Sequence, residues 1–67
     1  MMSGLLGLKQ ARKSKKLTQK QLADISGLSV ISICQYERGA MDPTLKTILK
    51  LALILNVSPG FLIEGRD

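Results

Sequence analysis

Helix caps are packed so closely into the middle of this chain that only short helices fit between them. Thr18-Gln19-Lys20-Gln21 has the capping-box form: the Thr18 hydroxyl can accept from the amide of Gln21, whose side chain reaches back to the amide of Thr18. A helix therefore starts at Gln19. Gly27 can then take the left-handed conformation that ends a helix without steric cost. Ser29 offers a second N-cap, and the spacing of Ile33 and Tyr36 carries another helix up to Gly39. Two short helices joined by a Gly-containing turn of about three residues form a corner rather than a rod.

The flanking segments are helical too. Leu5, Leu8 and Ala11 recur at a spacing of three, which predicts a first helix over residues 4–14 with Lys9, Arg12 and Lys13 pointing elsewhere. After the break at Gly39-Ala40-Met41-Asp42-Pro43, Thr44 or Asp42 caps a fourth helix. Its expected buried stripe is Leu45, Ile48, Leu49, Ala52 and Leu55, with Leu51 on the flank. Asn56 ends it, and Val57-Ser58-Pro59 reads as staple, cap and first-turn proline of a last helix holding Phe61 and Leu62. Ile63-Glu64-Gly65-Arg66 continues that helix. The prediction is an all-α, compact five-helix fold forming a single domain over residues 1–67, without repeats or an internal linker.

A chain this short buries only about 60% of the surface it exposes when unfolded, so its stability is thin. With 45% hydrophobic residues it can still build a core without disulfides or metal, and association with a second copy is the natural supplement. The single Cys34 has no partner for a disulfide and fits a reducing cytoplasm, and the absence of His leaves no metal-ligand constellation. No apolar run approaches the roughly 18 residues that span a bilayer, so no membrane partner is expected. The apolar start, Met1 to Leu8, lacks the basic flank of a targeting signal.

Charge narrows the partner. Of a net +5, Lys9, Arg12, Lys13, Lys15, Lys16 and Lys20 fall in one stretch that contains no acid. Such a block draws nucleic acid, anionic lipid or an acidic protein, or it is simply a solvated lysine-rich face.

Taken together and in order, Leu17-Thr18-Gln19-Lys20-Gln21-Leu22-Ala23, Gly27-Leu28-Ser29, Ile33, Tyr36-Glu37-Arg38-Gly39, Pro43 and the Leu45-to-Leu55 helix resemble the Cro and lambda-repressor type of helix-turn-helix domain, also called the xenobiotic-response-element type. The resemblance runs from Leu8 to Leu62. It implies a lambda-repressor-like DNA-binding fold with the motif at the second and third helices, and a double-stranded DNA partner. Ala23 then lies at the close crossing of those helices, and Leu28, Ile33 and Tyr36 clamp the third onto the core. Arg12 and Glu37 match positions that pair structurally across helices one and three.

The resemblance further implies that the segment from Ser29 to Arg38 enters the major groove. Val30, Ile31, Ser32 and Gln35 then face the bases, with Cys34 at the edge. Gln35 can bond N6 and N7 of adenine, while Val30 and Ile31 can pack on thymine methyl groups, so A·T positions are expected to be preferred. Apolar residues at a helix start more often join a core. Residues 30 and 31, however, lie off the face shared by Ile33 and Tyr36, so at most one can be buried with them. Backbone phosphates fall to Gln19, Lys15, Lys16, Lys20, Ser29 and Arg38, with Arg12 held back by Glu37. The loop Ala40-Met41-Asp42 departs from relatives in supplying no basic residue.

Two-fold dimers of this type place half-sites about 34 Å apart, which requires a self-complementary patch, and Leu53, Phe61 and Ile63 are the candidates for a homodimer interface. An enzyme is not expected: there is no His, no nucleophile beside a base, no carboxylate pair and no phosphate loop. No cofactor or small-molecule ligand is implied. The expected role is a dimeric repressor of the prophage type, a restriction-modification controller or an antitoxin-like regulator. The alternative is a protein-protein interaction module on the same fold, without DNA binding.

Overall fold

A computed structural model describes residues 4–66. Within them the backbone forms five helices and no strand: α1 (Leu8–Ser14), α2 (Gln19–Ser26), α3 (Val30–Arg38), α4 (Leu45–Leu55) and α5 (Pro59–Glu64). Four of the five starts are set by side-chain caps. The Thr18 box closes in both directions, at 3.0 and 2.8 Å. Ser29, Thr44 and Ser58 accept from the amides of Ser32, Thr47 and Phe61. Thr44, not Asp42, caps α4, and Asp42 instead accepts from the amide of Gly4 at 2.5 Å.

The first helix is shorter than the apolar spacing predicts, beginning at Leu8 rather than at residue 4. Leu5 is buried as expected, but it gets there as part of a non-helical strap that turns into α1 at residues 5–8. Its amide donates to the Tyr36 carbonyl, and the Gly7 amide to that of Leu62, each at 2.9 Å. The strap lies so close to α3 and α5 that a Cβ on Gly4 would strike the Tyr36 carbonyl, and one on Gly7 the Phe61 carbonyl. Spacing alone cannot reveal this, because a residue at i−3 reaches the same core from a helix or from a strap. Met1, Met2 and Ser3, part of the apolar start considered above, lie outside the described residues.

Each helix sends at least one side chain into a common core, from Leu5 and Leu8 through Leu22, Ile33 and Leu55 to Leu62. The helices α2 and α3 pack together, α1 touches α3 and α5, and α4 rests on α2 and α5. Ala23 and Ser26 are buried with Leu22 on the inner face of α2, as the sequence predicts. In α4 the buried face is turned from the expected one. Leu51 is fully buried rather than flanking, while Leu45 and Leu49 are exposed (68% and 50%) beside the outward Leu53 (83%). Most of the α4 residues are apolar, so more than one stripe was available. Docking on α2 and α5 selects Ile48, Leu51, Ala52 and Leu55. Lys50 then reaches back to the Ser26 carbonyl at 3.2 Å, where a cation suits the C-terminal end of α2.

Candidate nucleic-acid interface

Helix α3, expected to carry the base contacts, is capped at both termini. Ser29 caps its start by accepting from the Ser32 amide (3.0 Å) and donating to the Ser32 hydroxyl (2.9 Å). Gly39 at its end is left-handed, and Ala40 donates back to the Gln35 carbonyl at 2.9 Å. Ile33 and Tyr36 turn into the core, which leaves the opposite side free.

On that side Ile31 is 70% exposed and Val30 40%. Both stay out of the core. Ser32, Cys34 and Gln35 are half-buried beside them, and the Gln35 carboxamide makes no hydrogen bond among the described residues. The Ser29 and Ser32 hydroxyls share one hydrogen bond at 2.9 Å, which leaves hydroxyl capacity at Ser32 for an outside partner. Ser29 itself, expected at a phosphate, has its hydroxyl committed to capping.

The other end of α3 is tied down by charge. Glu37 accepts from Arg12 Nε at 2.6 Å and Nη2 at 3.1 Å, a forked pair whose side chains are only 9% (Arg12) and 4% (Glu37) exposed. Arg12 also donates through Nη1 to the Leu17 carbonyl at 2.8 Å, and Gln19 Nε2 donates to Glu37 Oε1 at 3.1 Å. Arg12 therefore does not point away from the core as helical spacing suggests. Its stem runs inward and its fork spans three elements.

The turn that makes this possible was not legible in the sequence. Lys16 sits in the left-handed region (φ 59), and the amides of Lys16 and Leu17 bond back to the carbonyls of Lys13 and Arg12. That is a Schellman ending, usually built on glycine. It turns the Leu17 carbonyl toward Arg12.

The network brings the 15–17 turn, the first turn of α2 and the last turn of α3 into one place. Lys15, Lys16, Lys20 and Arg38 are all exposed and lie on or next to these segments. Lys20 stands 3.6 Å from Asp24 in a solvent-exposed pair, which competes only weakly for it. Glu37, the one acid at the centre, has its charge answered internally by Arg12. What remains outward is a neutral amide and four cations, an arrangement suited to an anion.

A helix-turn-helix family model matches residues 8–62. The chain belongs to that family. The helix-turn-helix regulator YqaE of Bacillus subtilis (strain 168) is 41% identical over 60 residues, covering 90% of this chain and 52% of YqaE. The chain thus spans about half the length of that curated relative. Among solved structures, the P22 c2 repressor in complex with a synthetic operator superposes with a TM-score of 0.81 at 32% identity, covering 94% of this chain and 98% of that one. The restriction-modification controller protein C.AhdI from Aeromonas hydrophila gives 0.77 at 38% identity, with 85% and 86% covered. The helix-turn-helix of this chain is α2, the Gly27 turn and α3, in the lambda-repressor-like arrangement. No helix among the described residues is long and apolar enough to cross a membrane.

Proposed function

We propose that this chain is a sequence-specific double-stranded DNA-binding transcriptional regulator that works in the cytoplasm as a dimeric repressor, with α3 in the major groove. The observation that carries this reading is the free face of α3. Exposed Val30 and Ile31 stand beside Ser32 and an unengaged Gln35, on a helix that its neighbours hold at both ends. With side chains a helix is about 10–12 Å across, close to the major groove's width of about 12 Å. An apolar tip has one class of apolar partner on a base edge there, the C5 methyl of thymine. Gln35 has one bidentate partner, adenine.

Gln19, Lys15, Lys16, Lys20 and Arg38 supply the backbone contacts. With the four cations each neutralising about one phosphate, the log-log salt slope is about −4 per monomer. Two copies are needed because each supplies one α3, and two half-sites about 34 Å apart take one each. Leu53 offers the exposed part of the contact between copies. Phe61 and Ile63 are half-buried against their own core and contribute only their outer edges. Repression, whether as a prophage-type repressor, a restriction-modification controller or an antitoxin-like regulator, requires no more than occupancy of a promoter.

In vitro site selection tests this reading. It is expected to return two-fold sites rich in A·T at the positions under α3, with binding weakened when uracil replaces thymine there. G·C-rich sites indifferent to that replacement would overturn the base assignment. Sedimentation showing a monomer at tens of micromolar, with and without DNA, would remove the dimer.

A further inference from the structure

Gln19 does not wave freely at the surface. Its Nε2 donates to Glu37 Oε1 at 3.1 Å, and this is the only hydrogen bond of its carboxamide among the described residues. Glu37 cannot turn to follow it, since Arg12 grips both carboxylate oxygens and is itself fixed to the Leu17 carbonyl. One carboxamide hydrogen is thus spent on Glu37. The other is held in the same plane by amide geometry and is left to donate. Gln19 is half-buried at the rim of the network, on the first residue of α2, where main-chain amides also point outward.

We infer that Glu37 is a positioning residue for DNA: it holds the Gln19 carboxamide so that its second N–H meets a backbone phosphate beside the first turn of α2. The inference rests on the DNA-binding reading above. A glutamine ordered only on binding loses rotamer freedom at that moment, whereas one already tied to a buried carboxylate does not. Because Arg12 neutralises Glu37 from within, the carboxylate can steer the amide without repelling the phosphate. The Arg12–Glu37 pair then does more than join α1 to α3. It sets the register in which the start of α2 meets the duplex, and phosphate contacts of this kind fix orientation rather than sequence.

A double-mutant cycle tests this, using duplex DNA from the site selection and working well below the melting temperature of every variant. Gln19→Ala is expected to weaken binding by about tenfold per half-site in the wild type. The factor should be the same at every salt concentration, because the lost donor is uncharged and releases no counterion. In the Arg12→Met/Glu37→Leu background, which removes the carboxylate and leaves net charge unchanged, Gln19→Ala should add no more than about twofold. Equal Gln19→Ala penalties in both backgrounds would overturn the inference. Should that double variant fail to fold, side-chain amide NMR of the free wild type decides. One Gln19 Hε2 proton exchanging slowly with water, and a single rotamer kept on DNA binding, supports positioning, while two freely exchanging protons and an averaged rotamer overturn it. A wild type that binds no duplex at all overturns the underlying reading, which is a separate result.

Discussion

At its N-terminal end α3 leaves Val30 and Ile31 in the open, supported by a hydroxyl cap that uses only its own neighbours, Ser29 and Ser32. At its C-terminal end Glu37 is buried under Arg12 and bonded to α1 and α2. One end carries side chains that stand outside the core cluster, so they can change with little cost to the fold. The other cannot change alone. On the proposed function, a helix that reads a variable surface from a constant position needs both ends, and α3 has one of each kind.

The division is open to attack at each end. Arg12→Met alone leaves the Glu37 carboxylate buried without its partner and is expected to destabilise the fold by about 3–5 kcal/mol, read from urea denaturation. For a domain whose whole stability lies near the lower end of about 5–15 kcal/mol, that unfolds a large share of molecules. Arg12→Met/Glu37→Leu should recover most of the loss, because two apolar groups replace both charges.

At the open end Gln35→Ala should lower discrimination at one operator position by about 1–3 kcal/mol, measured by competition between operators, with stability unchanged within about 0.5 kcal/mol. A matching drop in stability would show that the reading end is not independent of the core. Ser29→Ala removes the cap and should destabilise by about 1 kcal/mol in thermal melts. If DNA affinity at low temperature falls far more than that, Ser29 contacts phosphate after all. Lys16→Gly is expected to stabilise, by under about 1 kcal/mol, because glycine takes the left-handed conformation without the Cβ clash while adding chain entropy to the unfolded state. It should also reduce the salt slope by about one per monomer if Lys16 faces a phosphate.

Much of the candidate site was legible because it depends on local chemistry. Thr18, Ser29 and Ser58 are caps whatever surrounds them, and Ile33 and Tyr36 fix which side of α3 faces in, and hence that Val30 and Ile31 face out. The Arg12–Glu37 pair followed from resemblance to a family, but its burial and its grip on Gln19 did not. Neither the left-handed Lys16 nor the strap at residues 4–7 leaves a mark in spacing, since lysine ordinarily avoids that conformation and Leu5 reaches the core by either route.

From its residues alone this protein was bound to make short capped helices around a tight corner, because caps and helix-ending glycines act within a few residues of themselves. Which stripe of α4 faces inward, and where Gln19 points, was decided only on docking. Leucines on two faces of one helix are equivalent until a neighbour covers one of them, and an amide has no fixed direction until a buried carboxylate gives it one.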